Sequence, residues 1–352
     1  MIKRLFGLLL LLVLIGAGIA YARRDALQMT LFERAVDRAM ARDTLAGLDP
    51  KAMHVAFCGT GSPLPSRDRA GACTAVIANG RIFVFDMGEG AGETLAMMGF
   101  PLGKVEGVWL THLHSDHFEG LGPFLIQRWP GTSATAPLPV AGPVGTIEVV
   151  GGLQAAYRID STYRIAHHGP VAVPPSGFGF APTEIQPGVV YDQGGVRITA
   201  FPVDHAPISP AFGYRIDWNG RSVTISGDTT DKAGLATAAR GSDLLVHEVL
   251  SARMVSAMAR AAEKRGQPNR VKILYDIRDY HATPEQAAAV AKAAGAKALA
   301  LTHVVPGAPG FLDGLFLRPA RDAFSGPLML MRDGDLITID GKAEPRAENL
   351  LD

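Results

Sequence analysis

Residues 111–120 read Thr-His-Leu-His-Ser-Asp-His-Phe-Glu-Gly, which packs His112, His114, Asp116 and His117 into six positions. They follow the apolar Val108-Trp109-Leu110, which reads as the end of a buried strand. Packing alone does not account for them, because every buried imidazole needs a hydrogen-bond partner. Imidazole and carboxylate donors gathered where a strand breaks into a loop suit a transition metal. Zinc fits them most naturally, and manganese or iron fits the same donors. Three donors suffice for one open zinc site. Four in so short a run are hard to gather on one ion. His112 and His114, two apart, point the same way while the backbone is extended, and Asp116 and His117 then face another direction. The simplest arrangement is two ions side by side, each completed from later in the chain.

The later donors stand where that arrangement needs them. His205 follows the strand-like Val196-Arg197-Ile198-Thr199-Ala200, Asp228 follows Val223-Thr224-Ile225, and His303 follows Leu299-Ala300-Leu301. Each is a polar residue just past a short apolar or β-branched run, the pattern of strand ends converging on one rim. Taken singly, Asp228 reads as a turn residue and His205 as a loop residue. As a set with His112–His117 they make a two-metal site.

These motifs resemble the metallo-β-lactamase-fold hydrolases. The family's H-x-H-x-D-H stands as His112-Leu113-His114-Ser115-Asp116-His117. Within that superfamily the chain is most similar to the ribonuclease Z branch and its arylsulfatase-like relatives. The Gly-Thr-Gly opening stands as Gly59-Thr60-Gly61, followed by Pro63 and Arg67; the next element is Asp86-Met87-Gly88-Glu89-Gly90, and His205 is followed by Gly213-Tyr214. The resemblance covers roughly residues 53–340. It implies an α/β fold, a four-layer αββα sandwich, as one domain over 51–345. It also implies two zinc ions, one on His112, His114 and His205 and the other on Asp116, His117 and His303. Asp228 then bridges them, with a hydroxide between the metals as nucleophile. His247-Glu248 and His281-x-Thr283 match a paired element of that branch. Glu248 orients His281 and raises its basicity, so that His281 donates a proton to the leaving oxygen. Asp116, His281 and Glu248 are therefore the expected catalytic groups, and His167, His168 and Tyr214 the expected substrate contacts.

The N-terminus bears on location. Lys3-Arg4 precede an apolar stretch from Leu5 to Ala20, then Ala20-Tyr21-Ala22 and Arg23-Arg24. Residues 1–22 read as a signal peptide or a retained membrane anchor, since the stretch is slightly short of the ~20 residues that span a bilayer. Either way the enzyme is expected in the periplasm or on the inner membrane facing it. Residues 23–50 read as a helical linker with Phe32, Val36 and Met40 on one stripe, a juxtamembrane or homodimer contact or a helix packed on the domain. Cys58 and Cys73 are the only cysteines. They read as two small buried hydrophobes in preference to a pair.

Composition completes the reading. The 352 residues carry 34 Lys and Arg against 34 Asp and Glu, with no net excess for a nucleic-acid partner, although a local patch fits inside a balanced total. Residues 130–190 are rich in Pro and Gly and read as an irregular insertion over the site. Residues 250–265 read as a helix ending near Gly266. A capping box at Thr283-Pro284-Glu285-Gln286 starts a helix that stops at Gly295. Trp109, Trp129, Phe212 and Tyr214 serve either as an aryl pocket or as core. Ribonuclease Z enzymes carry a long arm between the third His and the later Asp, and His205 and Asp228 are too close to hold one. The leading expectation is thus an exported hydrolase of small phosphodiesters, sulfate esters or carboxylic esters and lactones, with no nucleic-acid partner. The alternatives are a ribonuclease Z-type phosphodiesterase acting on RNA, which needs a basic groove near the site, and a non-enzymatic envelope scaffold.

Overall fold

The structure is a computed structural model. It describes residues 6, 7, 9, 13, 14, 16, 17, 21, 23–230, 233–342 and 344–351. The chain divides into two units, Met1–Thr44 and Leu45–Asp352. In the first, helix α1 (Arg24–Ala41) has no buried residue; Phe32 and Met40 on its apolar stripe are exposed. Most of the stretch read as a signal or anchor lies outside the described residues. Among those described, no helix is long and apolar enough to cross a membrane.

The second unit is built on two facing sheets. An eight-stranded sheet runs β15-β14-β1-β2-β3-β4-β5-β6. Its strands are β1 (Met53–Gly59), β2 (Cys73–Ala78), β3 (Arg81–Phe85), β4 (Val105–Trp109), β5 (Leu138–Gly142), β6 (Phe180–Glu184), β14 (Asp335–Ile339) and β15 (Ala347–Asn349). A seven-stranded sheet runs β13-β12-β11-β10-β9-β8-β7. It comprises β7 (Gly188–Gln193), β8 (Val196–Pro202), β9 (Phe212–Trp218), β10 (Arg221–Ile225), β11 (Leu244–Leu250), β12 (Leu299–Val305) and β13 (Leu328–Leu330). Because β15 pairs with β14, the compact unit extends past residue 345.

The central strands are apolar on both faces, as a sheet covered on each side requires. In β1, Met53, Val55 and Phe57 point between the sheets, while Ala56 and Cys58 point outward under helices. In β11, Leu244 and Val246 face inward, and Leu245 and Val249 outward. Helices α2 (Ala91–Met97), α3 (Leu121–Gly131) and α4 (Thr146–Ala172) cover the first sheet through Leu95, Phe124, Trp129 and Val150. Helices α5 (Ala233–Ala238), α8 (Pro284–Ala294) and α9 (Gly314–Arg321) cover the second through Leu235, Ala288 and Phe316. Helices α6 (Ala252–Glu263) and α7 (Pro268–Asp276) form a smaller apolar cluster beside them. The result is the expected α/β sandwich with four layers.

Three local expectations meet different outcomes. Helix α8 begins and ends as its sequence predicts: Thr283 Oγ1 accepts from Gln286 N, Gln286 Oε1 accepts from Thr283 N, and Gly295 is left-handed at φ 62°. The insertion read as irregular over 130–190 instead contains α4, a 27-residue helical run kinked at Gly169. Its prolines and glycines cluster at the two ends of that segment, so a windowed composition hides the helix between them. Cys58 and Cys73, expected as unpaired hydrophobes, form a disulfide with Cα atoms 5.1 Å apart, because β1 and β2 are antiparallel neighbours there.

Candidate metal centre

The site lies at one rim, where β4, β10, β11 and β12 end or break. After β4 the chain stays extended through His114 (φ −70°, ψ 146°), then tightens into a single 3-10 turn over Ser115–His117. That change of backbone turns Asp116 and His117 away from His112 and His114. His112 Nε2 and His114 Nδ1 lie 2.9 Å apart, and His205 Nε2, from the loop after β8, lies 3.3 Å from His114 Nδ1. A second group joins His117 Nε2 and His303 Nε2 to Asp116 Oδ2 at 3.6 and 3.2 Å. Asp228, just past β10, stands between the groups. Its Oδ2 is 3.3 Å from His117 Nε2, 3.4 Å from His303 Nε2 and 3.9 Å from His112 Nε2.

His303 is not past its strand but inside β12, at a bulge. Glu248 pairs with Thr302 and Val249 with Val304, so His303 is the extra residue, at φ 45°. A bulge re-aims a side chain, and the strained φ persists because packing on both faces over-determines it. Close backbone approach also shapes the loop. A Cβ on Gly88 would come within 2.3 Å of the Asp116 carbonyl oxygen, and one on Gly227 (φ +61°), next to Asp228, would come within 2.6 Å of the Phe212 carbonyl oxygen.

These donors fit divalent ions. Tetrahedral Zn–N bonds of about 2.05 Å put neighbouring ligand nitrogens about 3.3 Å apart, close to the separations around His114. The ring tautomers are set from outside. His117 Nδ1–H donates to Asp86 Oδ2 at 2.9 Å, and His205 Nδ1–H donates to the Tyr280 carbonyl at 2.9 Å. Each Nε2 is thereby left with its lone pair toward the cluster. His117 Nε2 is buried and has no hydrogen-bond partner. Burial pushes His112 and His205 below the ordinary imidazole range, which keeps them as neutral donors. Burial opposes charge on Asp228 as well, yet His303 and His117 hold it well below the usual carboxylate range. His117 is raised against its burial by Asp228, Asp86 and Asp116, so the pocket favours positive charge where an ion would stand.

Beside this cluster His281 Nδ1 faces Glu248 Oε2 at 3.4 Å and Asp228 Oδ2 at 3.8 Å. Glu248 Oε1 is anchored by the Ala282 N–H at 2.7 Å and the Thr229 N–H at 3.4 Å. Burial opposes the imidazolium, but Glu248 and then Asp228 outweigh it and bring His281 to about 9. His247 points outward from β11, its Nδ1 on the Glu248 carbonyl at 2.7 Å.

The structure thus brings together His112, His114, Asp116, His117, His205, Asp228 and His303, with Glu248 and His281 alongside. It does not bring in the expected substrate contacts. His167 and His168 sit exposed on α4, their rings 4.7 Å apart. Tyr214 is fully buried in β9, its hydroxyl donating to the Leu110 carbonyl at 2.6 Å, so it braces the end of β4. Trp109, Trp129 and Phe212 are core as well. Sequence reasoning assigned no role to Asp86, which accepts from Thr111 N (2.8 Å), Thr111 Oγ1 (2.9 Å) and His117. Its place in Asp86-Met87-Gly88 is the signal the sequence offers, and the structure adds an uncommon φ of 61° at that residue.

Fold and site together define a metallo-hydrolase of the αββα class. Residues 84–304 match the Beta-lactamase superfamily domain. Ribonuclease Z of Mycobacterium avium (strain 104) is 38% identical over 290 residues, covering 82% of this chain and 99% of that one. Ribonuclease Z of Mycolicibacterium gilvum is 40% identical over 256 residues, 72% of this chain and 85% of that one. The chain belongs to the beta-lactamase superfamily, among the homologues of ribonuclease Z. Two solved structures share the fold. YhfI of Bacillus subtilis has a TM-score of 0.60 at 19% identity, covering 82% of this chain and 99% of that one. Human tRNase Z, short form, has 0.56 at 23%, covering 81% and 99%.

Two expectations fall here. A hydrolase of small esters, with no nucleic-acid partner, is overturned by relatives named Ribonuclease Z that match along nearly their whole length. The short connection between His205 and Asp228, which holds only the end of its loop and the β9–β10 hairpin, weighed against that name in the sequence. It loses its force when the match extends over 99% of such a relative.

Proposed function

We propose that this protein is a metal-dependent phosphodiesterase that cleaves RNA, with two divalent ions, zinc before manganese or iron, held in the rim site. The observation that carries the reading is the set of overlapping His/Asp donor groups around Asp228, in a chain whose ribonuclease Z relatives are covered almost end to end. His112, His114 and His205 would hold one ion, Asp116, His117 and His303 the other, and Asp228 both. Ions bound there lower the pKa of water and offset charge developing on the phosphoryl oxygens.

The chain's own groups do the rest. Asp86 holds His117 in the Nδ1–H tautomer, and the Tyr280 carbonyl does the same for His205. Glu248 Oε2 faces His281 Nδ1 and keeps that ring protonated, which leaves Nε2–H for the departing oxygen. The test is cleavage of a structured RNA with a 3′ extension by metal-loaded protein, with and without chelator. Chelator-sensitive cleavage restored by zinc is the expected result. A protein with its full metal complement that leaves RNA intact overturns the reading, and turnover of no phosphodiester at all would favour a scaffold.

A further inference from the structure

A cavity of about 580 Å³ opens beside α6, lined by Arg253, Arg260, Arg278, Met254, Ser256 and Leu315 among others. It holds three guanidinium groups and no carboxylate. All three arginines are exposed, and none is in an ion pair among the described residues; Arg278 Nη1 reaches only Ser256 Oγ, at 3.3 Å. Three guanidinium groups gathered on one concave surface, with no carboxylate in its lining, form a local cation field that the balanced total conceals. The neighbouring cavity shares Arg253 and Leu315 but carries Glu285 and Asp322, so the cationic surface stops there.

This surface is joined to the catalytic pair. Glu248 lies in β11, whose end runs through Ser251 into α6, and the Leu250 N–H donates to the Ala282 carbonyl at 2.7 Å. Arg278 precedes His281 by three residues, at most about 11 Å of chain. Arg253 and Arg260 are seven apart, two turns on one face of α6, about 10 Å along its axis. Planar guanidinium forks suit phosphate oxygens, and Met254, Leu315 and the Tyr275 ring near Arg278 offer apolar surface for a sugar or base.

We propose that Arg253, Arg260 and Arg278 form a subsite for the RNA phosphate backbone on the His281 side of the metal centre, guiding the strand into it. The inference rests on the RNA-cleaving reading, and its test is read by binding so that the two fail separately. Equilibrium binding of a fluorescent RNA hairpin with a single-stranded tail is measured across salt concentrations. The R253A/R260A/R278A variant should lose about 2 units of slope in log K against log salt, from about 0.7 per single-strand phosphate contact. The triple lysine variant, folding checked by circular dichroism, should restore most of the slope, because counterion release follows charge. K292A, outside the cavity, should keep it. A triple alanine variant with the wild-type slope, or one whose lost slope lysine does not restore, overturns the subsite. RNA bound through these arginines but never cut would instead overturn the cleavage reading alone.

Discussion

Replacing Asp86 with asparagine tests whether the metal centre depends on a residue that touches no metal. The carboxylate receives three donors: Thr111 N at 2.8 Å, Thr111 Oγ1 at 2.9 Å and His117 Nδ1 at 2.9 Å. Asparagine keeps the shape but has one acceptor oxygen. If its NH2 turns toward His117, the ring must accept at Nδ1 and carry its proton on Nε2, so the lone pair aimed at the cluster is lost. If the NH2 turns toward Thr111, it opposes the backbone N–H, and a buried unsatisfied donor costs about 1–3 kcal/mol. Hydrogen-bond partners of metal-ligating histidines are worth about 10–100-fold in metal affinity, or about 1.4–2.7 kcal/mol. The loss should fall mainly on the ion of His117, because Asp86 accepts from that ring directly and reaches His112 only through Thr111 Oγ1, 3.0 Å from His112 Nδ1. Chelator competition followed by elemental analysis should show D86N holding close to one ion under conditions where the wild type holds two, with the fold intact by circular dichroism. A D86N protein that retains both ions at wild-type affinity would refute the account of tautomer control.

Three further outcomes follow from the geometry. H281A should slow RNA cleavage about 10²–10⁴-fold and affect a p-nitrophenyl phosphodiester far less, with metal content unchanged; equal losses on both substrates would remove the proton-donor role. G88A should weaken folding by about 1–3 kcal/mol and loosen the Asp116–His117 side, since its Cβ would sit 2.3 Å from the Asp116 carbonyl oxygen; an unaltered urea midpoint would contradict this. Reducing the Cys58–Cys73 bond, which closes a 15-residue separation, should cost about 3 kcal/mol of stability, and a denaturation curve indifferent to reductant would argue against it.

The basic groove shows why a whole-chain sum is a poor guide to partners. Charge counted along the sequence comes to zero, and that sum argued against nucleic acid. Arg253 and Arg260 share one helix, Arg278 lies beyond charged residues of both signs, and the packing of α6 against α7 and the following loop sets all three around one cavity. The same limitation hid α4, which carries Gly151, Gly152, Gly169 and Pro170 toward its two ends and is flanked by the further prolines and glycines that suggested a loop.

What the sequence determined by itself was the chemistry. His112, His114, Asp116 and His117 announce a metal through their types and spacing, and His205, Asp228 and His303 announce themselves as its completion by following short apolar or β-branched runs. Short-range backbone geometry carries that information, so it is legible without a fold. The tertiary structure decided which atoms work together. The bulge that turns His303 inward depends on the register of β11 against β12. The tautomer of His117 depends on Asp86, which comes from the end of β3. The pairing of Cys58 with Cys73 depends on β1 and β2 being neighbours. Each is a contact between distant segments, set by how whole strands bury both faces, and no local pattern of residues encodes it.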